Sequence, residues 1–202
     1  MVAGQQGKIP ASVEGGRVRS IIRHLPNRRN FSKGRYTLEI GYPWLTYGTI
    51  IALELHLKPH FKVLELGCGG STLFFSRRCA EVLSLDVDEN WIEKTKNALP
   101  SPSNVEFVHG RKRELLEYVK RLPDYYFNVA LVDISSDCRF RLKMIQPTID
   151  KLAEGGIVII DNYDNRHLRP FNYEGLDVYT FDDMHYAGKG TRICVKLPAE
   201  QG

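Results

Sequence analysis

The sequence predicts an α/β fold: a parallel sheet covered by helices on both faces and closed by an antiparallel hairpin. Three observations carry this. Five strand-length apolar runs alternate with segments of helical spacing, and the connections between them are short, the rhythm of crossover units in a parallel sheet. The last two strand-like runs, Leu176–Phe181 and Thr191–Leu197, are joined through Gly188-Lys189-Gly190 with no helical pattern between them, as in an antiparallel hairpin. The composition is globular, at 43% hydrophobic and 26% charged residues over 202 positions, which argues against wholesale disorder.

Residues 1–16 are Gly-rich and polar without a period and read as a loose tail. Residues 17–25 suit a short basic helix stopped before Pro26. Residues 26–41 read as irregular. Pro43 suits the first turn of a helix, and from Trp44 to Leu57 apolar residues fall at helical spacing until Pro59. The alternation then runs strand Lys62–Leu66, helix Ser71–Cys79, strand Glu81–Val87, helix Glu89–Leu99, strand Val105–His109 and helix Lys112–Arg121. Strand Phe127–Asp133, helix Arg139–Leu152 with a kink at Pro147, and strand Gly156–Asp161 complete it.

No stretch approaches the ~18 apolar residues of a membrane span, and the opening residues lack the apolar core of a secretory leader. The cytoplasm is the expected compartment, with no membrane partner. Cys68, Cys79, Cys138 and Cys194 are far apart and form no Cys-x-x-Cys pair, so reduced, mostly buried thiols are expected. The net charge is +4, but residues 1–60 alone hold nine Lys/Arg against three Asp/Glu. That excess, around Arg17, Arg19, Arg23, Arg28, Arg29, Lys33 and Arg35, divides the chain into a basic arm (1–36) and a catalytic domain (37–202). The arm reads as a solvated segment that can also meet phosphates or an acidic substrate.

The most informative stretch is Glu65-Leu66-Gly67-Cys68-Gly69-Gly70-Ser71-Thr72, joining the first strand to the next helix. Ligands of open parallel sheets bind at the carboxyl ends of strands. Glycines there allow close backbone approach, and the helix offers free N–H groups. Asp86 ends the second strand, where a carboxylate can accept both hydroxyls of a ribose. A dinucleotide loop would read Gly-x-Gly-x-x-Gly, but here the last position is Thr72. Glu65 would oppose a pyrophosphate and favour a cationic group. The pattern therefore points to a cationic nucleoside without phosphates and away from a nucleotide-dependent oxidoreductase.

This loop, followed by Ser84-Leu85-Asp86-Val87-Asp88-Glu89-Asn90-Trp91, resembles the class I S-adenosylmethionine-dependent methyltransferases, from about Tyr42 to Leu197. Within that class the chain looks closest to a group of small methyltransferase-like proteins sharing Tyr-Pro-Trp-Leu-Thr before the sheet. The resemblance implies a Rossmann-like fold, a seven-stranded mostly parallel sheet with a C-terminal antiparallel hairpin. It implies that Glu65, Gly67 and Gly69, with Cys68 between the glycines, line the methionine and ribose part of S-adenosyl-L-methionine. Ser71 or Thr72 would bond the carboxylate, Asp86 the ribose, Val87 would pack on adenine, Gly110 would meet the adenine edge, and Asp133 would lie under the methyl donor as the catalytic residue. Ser71 replaces a glycine of the commonest loop, and Gly110-Arg111 stands where many members carry an acid.

Asp133 ends the fourth strand and Asp161-Asn162 the fifth. Three oxygen-bearing side chains on one rim suit Mg²⁺. The set is similar to that of catechol and caffeoyl-coenzyme A O-methyltransferases, where it implies a divalent ion that binds the acceptor hydroxyls. The lysine that follows the first Asp in those enzymes is absent. Arg139 and Arg141 come next, and arginine does not deprotonate. The alternative for Asp161-Asn162 is a loop cap.

Acceptor identity is expected in the walls: Tyr42, Trp44 and Tyr47 before the sheet, and Tyr163, His167, Arg169, Phe171, Tyr173, His185 and Tyr186 after the fifth strand. The helical spacing of Trp44 and Tyr47 also suits core packing. His167 or His185 can titrate near neutrality as a base, or be a plain surface histidine. No Asn/Asp-Pro-Pro-Tyr signature of amino-group methylases occurs. The expected activity is methyl transfer to a small molecule at oxygen. The alternatives are an RNA or protein methyltransferase guided by the arm, and a non-catalytic binding module.

Overall fold

The computed structural model describes residues 20–22, 25, 37–182 and 190–198. Most of the basic arm, together with His185 and Tyr186, lies outside the described residues. Residues 20–22 are helical. Helix α1 (Thr37–Ile40) and helix α2 (Tyr47–His56) precede the sheet. Then come β1 (Lys62–Leu66), α3 (Gly70–Ser76), β2 (Glu81–Asp86), α4 (Glu89–Ala98), β3 (Val105–His109), α5 (Lys112–Arg121), β4 (Phe127–Val132), α6 (Cys138–Asp150), β5 (Leu152–Asp161), β6 (Leu176–Phe181) and β7 (Thr191–Lys196).

The sheet order is β3-β2-β1-β4-β5-β7-β6. Strands β1 to β5 pair in parallel. β7 runs antiparallel between β5 and β6. The order reverses between β1 and β4, the place where such sheets open a ligand crevice. Register brings the strand ends level there: Leu66 pairs with Leu85 and Val132, and Val132 with Ile160.

Strand alternation builds two cores, because successive side chains point to opposite faces. Val63, Val82, Val129, Leu131 and Ile159 pack with Ile50, Leu53, Phe74 and Phe75 from α2 and α3. Leu64, Leu66, Leu85, Val132 and Ile160 pack with Leu115, Val119, Met144 and Ile145 from α5 and α6. Phe74 and Phe75 are fully buried, so truncating either to Ala would cost about 3–5 kcal/mol.

The N-terminal helix starts later than Pro43 suggests. Thr46 caps α2 by accepting the Thr49 N–H at 3.4 Å, whereas a helix opened by Pro43 would have Tyr42 at its cap position, a residue poorly suited to capping. The short α1 lies in a segment expected to be irregular. Helix α6 continues through Pro147 to Asp150. Among the described residues, no helix is long and apolar enough to cross a membrane. All four cysteines are free, and Cys68, Cys79 and Cys194 are buried.

Candidate active site

The glycine loop is clamped between strand ends. The Gly67 N–H donates to the Leu85 carbonyl at 2.8 Å, and the Asp133 N–H donates to the Leu66 carbonyl at 2.8 Å. Gly67 has φ +101°, and a Cβ there would lie 2.7 Å from the Asp133 carbonyl oxygen. Only glycine satisfies both conditions. At Gly70 a Cβ would collide with the Tyr42 and Thr37 carbonyl oxygens. The chain before the sheet therefore closes onto the start of α3.

Beneath the loop, Glu65 is fully buried. Its Oε2 accepts the hydroxyls of Thr72 and Ser84, each at 2.6 Å. The Thr72 oxygen in turn accepts the Gly69 N–H at 2.8 Å. Burial pushes the Glu65 carboxyl up to about 7, against the pull of the Ser71, Ser84 and Thr72 hydroxyls. Asp86 works from the side. Its Oδ2 accepts the Cys68 N–H at 2.9 Å and its Oδ1 the Asp88 N–H at 3.0 Å. Trp91 donates its indole N–H to the Cys68 carbonyl at 2.6 Å. Burial raises the Cys68 thiol well above its ordinary range, so it remains protonated and is no nucleophile.

A cavity of about 560 Å³ opens over this loop and runs to the ends of β4 and β5, within the size range of small-ligand sites. Its wall holds four carboxylates, Asp86, Asp88, Asp133 and Asp161, and one guanidinium, Arg141. Gly67, Cys68, Gly69, Ser71 and Val87 also line it, and Asn162 joins at the far rim. Glu65, Thr72 and Gly110 do not. The first two sit below the loop, and Gly110 stands at the β3 end with its N–H 3.4 Å from the Asp86 carbonyl oxygen.

The far rim is built from side chains. The Arg141 guanidinium lies 2.7 Å from Asp133 Oδ1. Its Nε–H donates to the Ile134 and Ser135 carbonyls at 2.9 and 2.8 Å, and Nη1 reaches Asn162 Oδ1 at 3.4 Å. Asp161 accepts the Thr191 hydroxyl at 3.1 Å and the Asn162 amide. Burial raises the Asp133 carboxyl, with Arg141 opposing. Burial and the Asp133 charge push Asp161 up to about 8.

The three residues expected to hold Mg²⁺ are thus brought together, but they do not fit a divalent ion. Such an ion needs several oxygens at about 2.0–2.6 Å with lone pairs free. Here Asp133 is paired to a guanidinium, and Asp161 and Asn162 bond to each other. Among the described residues, no group of three or more His, Cys, Asp or Glu side chains could hold a metal.

Several wall expectations change. Trp44 is exposed and lines the cavity, because α2 starts after it and leaves its indole outside the helix face. Tyr47 is half-buried at the helix start. Tyr163 donates its hydroxyl to Asp182 at 2.8 Å beneath the Arg192 guanidinium, and Phe171 packs edge-on against Tyr173. The His167 ring accepts the Arg166 Nε–H at 3.3 Å, and Arg169 donates to the Asp164 carbonyl. None of these five lines the cavity. Sequence reasoning missed Trp91 and the placement of Arg141. Trp91 carried a signal, since it lies one helical turn after the Asp88 cap of α4.

Residues 64–163 match the family model described as a methyltransferase domain. The chain belongs to the class I S-adenosylmethionine-dependent methyltransferases. No curated protein sequence matches this methyltransferase. Solved structures share its fold at low identity. An O-methyltransferase from Bacillus cereus, in complex with S-adenosylhomocysteine, is 13% identical, with 93% of each chain covered and a TM-score of 0.62. A tRNA (m1A58) methyltransferase from Aquifex aeolicus is 17% identical over 86% of this chain and 77% of that one, TM-score 0.59. An rRNA methylase from Streptococcus thermophilus is 19% identical over 72% of this chain and 92% of that one, TM-score 0.56. The cofactor is S-adenosyl-L-methionine. A cavity wall that keeps Asp86 and Asp88 beside the Asp133–Arg141 pair fits a phosphate-free cationic donor.

Proposed function

We propose that this methyltransferase acts at the oxygen of a small-molecule acceptor. The acidic cavity wall carries the reading. Of the four aspartates around the opening, Asp133 is paired to Arg141 and Asp161 is pushed up to about 8, so Asp86 and Asp88 give the wall its acidity. That acidity repels a polyphosphate backbone but tolerates a neutral hydroxylated molecule. The similarity of fold to an O-methyltransferase, with nearly complete coverage of both chains, is in keeping with it.

On this reading Asp86 receives the ribose hydroxyls, and Val87 with Trp91 frames the adenine. The Gly67–Gly69 backbone and Ser71 face the methionine part. Glu65 and Thr72 act from below, holding the Gly69 N–H so that the loop keeps its shape with or without donor. Gly110 fixes the neighbouring strand end. When bound, S-adenosyl-L-methionine supplies the electrophilic methyl group. Asp133, anchored by its backbone to β1, orients the acceptor hydroxyl, and alignment supplies much of the rate.

The basic arm (residues 1–36) motivates the second reading, an RNA acceptor steered by charge. The two separate in one experiment. The protein is incubated with methyl-labelled S-adenosylmethionine and either a panel of hydroxylated small molecules or total RNA. Label in a small-molecule fraction is expected. Label in RNA that is lost on removing residues 1–36 would replace the small-molecule reading.

A further inference from the structure

The β4–β5 rim presents three oxygen-bearing side chains and a cation already among them. Asp133 Oδ1 lies 2.7 Å from Arg141 Nη2, and Asn162 Oδ1 lies 3.4 Å from Nη1. Arg141 cannot easily leave. Its side chain is nearly buried, and its Nε–H is shared between the Ile134 and Ser135 carbonyls. The turn that offers those carbonyls has Ser135 at φ +59°, and Asn162 across the rim has φ +57°. Asparagine enters this left-handed region readily, whereas serine there is uncommon. The planar guanidinium bonds several fixed oxygens at once, which lysine's point charge does not. A second cation among the same oxygens would meet Arg141 at contact distance, at electrostatic cost.

We propose that the Arg141 guanidinium is the resident cation of this rim, occupying the place a divalent metal would take, so that the site is organised without metal. Arg141 is a positioning residue: it holds Asp133 and Asn162 in register through hydrogen bonds, where a metal would do so by coordination. One consequence depends on the methyl-transfer reading above: the acceptor needs a single hydroxyl and no chelating pair of oxygens.

The test is a Mn²⁺ titration of the full chain, following the six-line resonance of free Mn²⁺. Wild type should leave the signal of millimolar Mn²⁺ unchanged. Arg141→Met should gain a Mn²⁺ site at least tenfold tighter than any in wild type, and adding Asp133→Asn should remove the gain. Arg141→Gln also removes the charge, should gain the same site, and serves if Arg141→Met does not fold; Arg141→Lys keeps a positive charge and should gain none. Micromolar Mn²⁺ binding by wild type that Asp133→Asn abolishes would overturn the proposal, as would a folded Arg141→Met with no gain. S-adenosylhomocysteine binding, measured alongside, reports separately on the donor site. Its failure would sink the proposed function and leave the Mn²⁺ result standing.

Discussion

The two halves of the cavity are built differently. On the β1–β2 side, carboxylates hold backbone: Asp86 takes the N–H groups of Cys68 and Asp88, and Glu65 holds Gly69 through the Thr72 hydroxyl. On the β4–β5 side, one side chain gathers the others: Asp133 and Asn162 share the Arg141 guanidinium, itself anchored on the Ile134 and Ser135 carbonyls, and Asp161 meets Asn162. The first arrangement fixes the main chain against a ligand and allows few substitutions. The second can be rewired by a few side chains without disturbing the sheet. A shared donor with varied acceptors calls for that division.

The donor half should break first under mutation. Asp86→Ala removes the acceptor of two charge-assisted hydrogen bonds, each worth about 1.5–3 kcal/mol. S-adenosylhomocysteine affinity should fall roughly 100-fold or more by calorimetry, while the far rim keeps its geometry. An unchanged affinity would mean that the loop does not need the carboxylate.

Gly67→Ala should come next, acting on stability. The new methyl group would press on the Asp133 carbonyl from a left-handed position. The expected loss is about 3 kcal/mol, roughly 6–12 °C in Tm for a chain of this size. Thermal melts of the two proteins would show it.

Glu65 makes the β1–β2 side sensitive to pH. Its folded carboxyl titrates near 7, above the ordinary 4.5. Between those values the folded protein keeps a proton that the unfolded chain releases. Stability contributed by the neutral form is therefore full below about pH 4.5 and falls as pH rises toward 7, by up to roughly 3 kcal/mol. Denaturant unfolding across pH 5–8 should show wild type weakening more steeply than Glu65→Gln. Parallel slopes would show that Glu65 is not held neutral.

The smallest effects belong to the entry of α6, which carries Arg141. Asp137 caps that helix by accepting the Arg139 and Phe140 N–H groups, so Asp137→Ala should cost about 1 kcal/mol. Its exposed ion pair with Lys112, at 2.8 Å, adds little, and Lys112→Ala should stay within about 0.5 kcal/mol. Urea unfolding resolves the two.

The same division explains what could be read from the sequence. Strand β3, helix α5 and strand β6 fall at their expected bounds because their periods are local and unbroken. The Gly67–Ser71 loop and Asp86 are legible for the same reason, since each announces itself within a few residues. The burial of Glu65 is legible, but its partners Thr72 and Ser84 come from a helix and another strand. Its work beneath the loop therefore reads from sequence as work at the ligand. Trp44 looks like a core residue until Thr46 starts the helix after it. The far rim is least legible. Asp133, Asp161 and Asn162 look like metal ligands by their strand-end positions. Only the docking of α6 onto β4 and β5 brings Arg141 among them, and no local pattern records that contact.

For a donor site on the Gly67–Ser71 loop, the chain carries its own reporter. Its two tryptophans, Trp44 and Trp91, both line the cavity, so intrinsic fluorescence is a signal from that wall. The most direct measurement is a fluorescence titration with S-adenosylhomocysteine, on wild type and on Asp86→Ala. A saturable change with a micromolar midpoint in wild type, shifted beyond reach in Asp86→Ala, is the expected result. A flat titration of well-folded wild type, or equal midpoints for the two proteins, would rule out a donor site held by Asp86.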